Sequence, residues 1–171
     1  MKIVLLGYMG CGKSVVGDFL AKKLQIDHYD LDIEIEKISK KSVKELFESK
    51  GEIYFRKLEH QIFKSILAKN ESYVLSLGGG TPCYYNNQEL LKQDTIFSFY
   101  LKSSVANLVK RVANETSKRP LLSNFNTTEL TDFINKHLFE RSFFYHQAHH
   151  IITIDDKSVS EISNEILQKL A

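Results

Sequence analysis

The eight residues Gly7-Tyr8-Met9-Gly10-Cys11-Gly12-Lys13-Ser14 form a complete Gly-x-x-x-x-Gly-Lys-Ser loop, the pattern whose backbone N–H groups curl around a phosphate. Its flanks fix its place in a fold. Ile3-Val4-Leu5-Leu6 is a short apolar run suited to a buried strand, and Val15, Val16, Phe19, Leu20 and Leu24 recur at helical spacing. A strand, a glycine loop and a helix N-terminus in that order make an anion site. A chain that starts this way is constrained to an α/β architecture built around a nucleoside triphosphate. Lys13 adds a mobile positive charge, the Ser14 hydroxyl is suited to ligate magnesium, and Gly10, Cys11, Gly12, Lys13, Ser14 and Val15 are the expected nucleotide-binding segment.

Further strand-like runs stand at 28–30, 73–77, 95–101 and 151–154, with helical stretches between them. With the first run they predict a five-stranded parallel sheet in a three-layer α/β/α fold. Ser42 with Glu45, and Ser158 with Glu161, have capping-box spacing, so the last helix should begin at Val159. Two segments break the regular alternation. Helical patterns from 33 to about 68 exceed the one helix that a crossover needs, which predicts a substrate-binding insertion at about 33–60. The polar stretch at about 113–126 carries Arg119-Pro120 and is longer than an ordinary connection, as expected of a lid. Pro82 and Pro120 both fall in predicted loops. The 171 residues suffice for one domain over 1–171 with a proper core.

Charge is nearly balanced, with 23 basic and 21 acidic side chains, which argues against a nucleic acid or a membrane surface as partner. No apolar run has the length of a signal core or a membrane span. The two cysteines, Cys11 and Cys83, read as reduced thiols. A soluble, cytoplasmic monomer is expected.

Nineteen lysines stand against four arginines. Lysine is thus the default surface cation, and Arg56, Arg111, Arg119 and Arg141 become candidates for bidentate or stacking tasks that an ammonium performs poorly. Asp30-Leu31-Asp32 closes the second predicted strand, at the edge of a parallel sheet that faces the ligand crevice. Strand alternation would put both carboxylates on one side. One would hold magnesium through water and the other would orient or deprotonate an attacking hydroxyl; a helix cap is the competing reading, especially for Asp32. Gly78-Gly79-Gly80 follows an apolar strand and reads as the floor of an acceptor pocket.

These motifs resemble the shikimate kinase family over essentially the whole length: the phosphate loop, Asp30-Leu31-Asp32, Gly51-Glu52-Ile53-Tyr54-Phe55-Arg56, Leu77-Gly78-Gly79-Gly80, Arg119-Pro120-Leu121-Leu122, and Arg141 with Tyr145. The resemblance implies transfer of the ATP γ-phosphoryl group to the 3-hydroxyl of shikimate, with magnesium as cofactor. It further implies that Arg56 and Arg141 grip the substrate carboxylate and Asp32 contacts the ring hydroxyls as base or orienter. Gly78, Gly79 and Gly80 would admit the acceptor, and Ser14 and water-linked Asp30 would place magnesium. Lys13 and lid Arg119 would stabilise the transferring phosphate, and Arg111 would pack on adenine.

A gluconate-kinase-like enzyme, a nucleoside monophosphate kinase and a non-catalytic nucleotide-binding module are the alternatives. Asn135-Lys136-His137-Leu138 lacks the aspartate of a guanine-specific switch. His146, His149 and His150 read as a solvated helix end rather than a zinc site. Phe139, Phe143, Phe144 and Tyr145 are expected to pack against the sheet. Glu59 and His60, one turn beyond Arg56, would either orient its guanidinium or form a surface ion pair.

Overall fold

Ile3, Val4, Leu5 and Leu6 alternate sides along a strand, yet all four are fully buried, so this strand needs neighbours on both edges and helices on both faces. The computed structural model, which describes residues 1–114 and 125–171, provides both. Strand β1 (Lys2–Leu6) leads through the phosphate loop into α1 (Lys13–Leu24), then β2 (Asp27–Asp30). Three helices follow, α2 (Leu31–Ser39), α3 (Val43–Lys50) and α4 (Glu52–Leu67), before β3 (Tyr73–Ser76). The chain continues through a short 3-10 turn at Thr81–Cys83, α5 (Asn87–Leu90), β4 (Ile96–Lys102), α6 (Val105–Ala113), α7 (Thr127–Tyr145), β5 (His150–Thr153) and α8 (Val159–Leu170).

The sheet is five-stranded in the order β2-β3-β1-β4-β5, and every pair is parallel. Val4 of β1 lies between Leu75 of β3 and Ser98 of β4. Each fully buried Leu or Ile of β1 contributes about 1.5–3 kcal/mol from apolar burial. Among the described residues, the buried apolar side chains form one core cluster. Among the described residues, no helix is long and apolar enough to cross a membrane.

The capping boxes at Ser42/Glu45 and Ser158/Glu161 are both formed, and α8 begins at Val159. A third box at Asn126/Glu129 opens α7, with asparagine in place of the serine of the other two. Pro82 lies within the 3-10 turn, whereas Arg119 and Pro120 lie outside the described residues.

One expectation needs correction. Asp32 does not continue β2, because the Asp30 carboxylate accepts hydrogen bonds from the N–H groups of Asp32 and Ile33 and starts α2 there. A side chain that satisfies free helical N–H groups ends the strand. The aspartates are therefore related by a helix cap rather than by strand alternation.

Candidate active site

The phosphate loop depends on backbone that only glycine adopts easily. Gly7 has φ +145, and a Cβ there would lie 2.7 Å from the Leu101 carbonyl oxygen. The first turn of α1 has no side-chain cap, which leaves its N–H groups for an anion. Lys13 is 8% exposed. Its Nζ folds back on the loop and donates to the carbonyls of Gly7 (2.9 Å) and Tyr8 (3.1 Å). The Ser14 hydroxyl donates to the Asp30 carboxylate. Arg111 Nη1 reaches the Cys11 carbonyl at 3.4 Å.

A relay beneath the loop had no sequence motif. Ser76 Oγ on β3 donates to the Lys13 carbonyl (3.0 Å) and lies 3.0 Å from His28 Nε2. Because the single hydroxyl proton is used, Nε2 must be the donor. Burial, the largest influence, lowers the His28 pKa against Asp30 and Asp18.

Opposite the loop, α4 supplies Arg56, itself only 8% exposed. Glu59, 1% exposed, takes Arg56 Nη1 on one oxygen (2.9 Å) and the Thr81 hydroxyl on the other (2.7 Å). Glu59 is thus the buried orienter of Arg56. His60 instead bonds Asn87 and stacks on Tyr85. Burial opposes the Arg56 charge, but Glu59 outweighs it and the guanidinium pKa is raised.

The three glycines make room for side chains as much as for a ligand. A Cβ on Gly78 would stand 3.0 Å from Asp32, one on Gly79 would stand 3.2 Å from Arg141 Nη1, and one on Gly80 would stand 2.5 Å from Arg56 Nη2. Tyr145 donates to the Gly79 carbonyl (2.6 Å) and fixes the end of α7 that carries Arg141. The Asp32 pKa is pushed up to about 6, first by burial and then by Asp30 and Glu59, with Lys13 opposing.

The front of the phosphate loop, Asp32, Arg56, Glu59 and the three glycines line one cleft of about 890 Å³. Of the residues singled out in the sequence, Gly10, Cys11, Gly12, Lys13, Ser14, Val15, Asp30, Asp32, Arg56, Gly78, Gly79, Gly80, Arg111 and Arg141 meet there; Arg119 lies outside the described residues. Lys157 also lines the cleft and pairs with Glu165 at 2.5 Å.

Two side expectations fail. Phe139 and Phe143 are 84% and 67% exposed, because the sheltered stripe of α7 runs through Leu130, Ile134 and Tyr145 and leaves them on its outer side. His149 and His150 do not form a solvated helix end: His149 bonds Ser98 on β4, and His150 starts β5 and stacks on Phe99 at 5.1 Å. Among the described residues there is no metal-binding group of histidine, cysteine and carboxylate side chains.

A phosphate loop at the end of the central strand, sharing one crevice of a parallel sheet with buried Arg56 and half-buried Arg141, defines the chain as a P-loop phosphotransferase of the small-molecule kinase class. A family model described as shikimate kinase matches residues 9–171, and the shikimate kinase of Flavobacterium johnsoniae is 52% identical over 170 residues, 99% of each chain. The chain belongs to the shikimate kinase family, phosphotransferases with an alcohol group as acceptor. The crystal structure of shikimate kinase from Bacteroides thetaiotaomicron superposes with a TM-score of 0.92 at 34% identity, covering 99% of this chain and 98% of that one. Shikimate kinase from Acinetobacter baumannii, in complex with shikimate, gives 0.87 at 30% identity, with 99% and 92% covered. Membership in this family sets aside the gluconate-kinase-like and non-catalytic alternatives.

Proposed function

We propose that the chain transfers the γ-phosphoryl group of ATP to the 3-hydroxyl of shikimate, and that the cleft residues divide that work as follows. The observation carrying this reading is the single cleft that joins Lys13, Asp32, Arg56 and Arg141. Loop N–H groups and Lys13 hold the triphosphate, with Lys13 leaving the Gly7 and Tyr8 carbonyls that it bonds in the free protein. Val15 flanks the phosphates at the mouth of α1, and Arg111 lies against the adenine.

Shikimate enters between Arg56 and Arg141, whose guanidiniums take its carboxylate, and rests on Gly78, Gly79 and Gly80. Asp32, ionised above about pH 6, accepts the proton of the attacking hydroxyl as its oxygen closes on phosphorus. Because the transition state is loose, the gain comes from positioning and from fixed charge. Arg119 is assigned to charge on the transferring group.

The donors fit magnesium. Ser14 and Asp30 are hard oxygen ligands already in mutual contact, and they would hold the ion, which when bound neutralises charge on the phosphates. The same reading takes 1–171 as one kinase domain with its acceptor insertion at about 33–60, acting as a monomer. The free thiols of Cys11 and Cys83 support a reducing cytoplasm as its compartment.

Purified protein with ATP and magnesium should release ADP when given shikimate but not when given gluconate or a nucleoside monophosphate. Arg56→Lys or Arg141→Lys should raise the shikimate KM by about 10- to 100-fold, the loss of a bidentate charge-assisted bond, with kcat changed less. Arg119→Ala should lower kcat more than it weakens shikimate binding. Steady-state kinetics with the reverse pattern would overturn the allocation.

A further inference from the structure

The Arg56 guanidinium is held by more than its carboxylate partner. Its Cζ lies 4.2 Å from the ring centroid of Tyr84, closer than to Phe55 (5.2 Å) or Phe47 (5.7 Å). The Tyr84 hydroxyl donates to Glu52 Oε1 at 2.9 Å, and that oxygen stands 3.6 Å from Arg56 Nε, a buried donor with no hydrogen bond of its own. Glu59 fixes Nη1, but a bond to one nitrogen leaves rotation of the guanidinium about that bond free. An aromatic face removes that freedom, since a guanidinium stacks on a ring through dispersion and the ring's quadrupole. Tyr84 is not part of the cleft lining, so anything it does for a ligand passes through Arg56.

We propose that Tyr84 is a positioning residue for acceptor binding: its ring sets the plane in which Arg56 presents its free edge to the substrate carboxylate. The proposal rests on the reading of Arg56 as a carboxylate ligand. A carboxylate accepts two parallel N–H bonds only when the planes match. Loss of the ring therefore weakens acceptor binding without touching the nucleotide side.

The test is steady-state kinetics on the full chain with shikimate and ATP varied separately. Tyr84→Leu should raise the shikimate KM about five- to tenfold, with the ATP KM and kcat within about twofold. Tyr84→Phe, which keeps the ring, should stay within about twofold throughout. On an Arg56→Ala background, Tyr84→Leu should add less than about twofold, because its route is gone. The proposal is overturned if Tyr84→Leu leaves the shikimate KM unchanged while Arg56→Ala raises it, if the ATP KM rises in parallel, if Tyr84→Phe loses as much as Tyr84→Leu, or if the effect persists without Arg56. If Arg56→Ala itself leaves the shikimate KM unchanged, the carboxylate reading falls first and this proposal falls with it.

Discussion

Asp32→Asn should lower kcat by about 10²- to 10⁴-fold, the range for removing a general base, and should at the same time make the protein harder to melt at pH 8. The carboxyl is pushed up from an ordinary 3.8 to about 6, first by burial and then by the negative charges of Asp30 and Glu59. A raised acid pKa means that the folded state binds the proton more tightly than the unfolded chain. Its stabilising contribution is complete below about pH 4 and is lost as pH rises through about 6. Above that, the ionised group costs on the order of 2–3 kcal/mol. Asparagine removes the charge and keeps the shape. Thermal melts should therefore gain about 4–8 °C at pH 8 and almost nothing at pH 4. The unsubstituted protein should lose kcat/KM below about pH 6, as the base is protonated. An equal melting gain at both pH values, or a kcat within tenfold of the parent, would contradict this account.

Gly80→Ala should raise the shikimate KM by up to about 100-fold while leaving the fold and the ATP KM nearly unchanged. Gly80 has φ −92, where alanine fits without backbone strain, so the consequence is steric. The new methyl would stand 2.5, 2.8 and 2.9 Å from Nη2, Nη1 and Cζ of Arg56, and the side chain, rather than the backbone, would give way. Retreat strains the 2.9 Å bond of Arg56 to Glu59 and its contact with the Tyr84 ring. A displacement of about 1 Å at a positioning group is enough for a 100-fold loss. Gly7→Ala offers the contrast: it has a positive φ and a backbone oxygen as neighbour, so it should lower the melting temperature. An unchanged shikimate KM in Gly80→Ala would show that the guanidinium has room to spare.

Local chemistry was legible in the sequence, and contacts between distant segments were not. The phosphate loop, the five strands and two capping boxes follow from residues within a few positions of one another. Asp32 was placed on a strand because period-two alternation ignores a cap, and Asp30 turned out to be that cap. Glu59 could be read as exposed or buried until Thr81 and Arg56 were seen to close over it. The Ser76 relay joins β3 to α1, and Tyr84 meets Arg56 across 28 positions; neither belongs to a motif with a fixed spacing. The glycine run suggested open floor, while the structure fills the space above each glycine with a functional side chain. The exposed Phe139 and Phe143 show that aromatic content alone does not tell which side of a helix is sheltered.

The pairing of β1 has a consequence for how such a chain comes into being on the ribosome. Its neighbours are residues 73–76 and 96–100, so β1 stays open on one edge until residue 100 has been synthesised. Long-range parallel pairing is slow to nucleate and leaves sticky intermediates. The loop's first glycine packs against the Leu101 carbonyl of β4, so nucleotide should act as a late clamp on the finished sheet rather than as an early template. Pulse-labelled exchange during refolding should find the amides of β1, β3 and β4 becoming protected together.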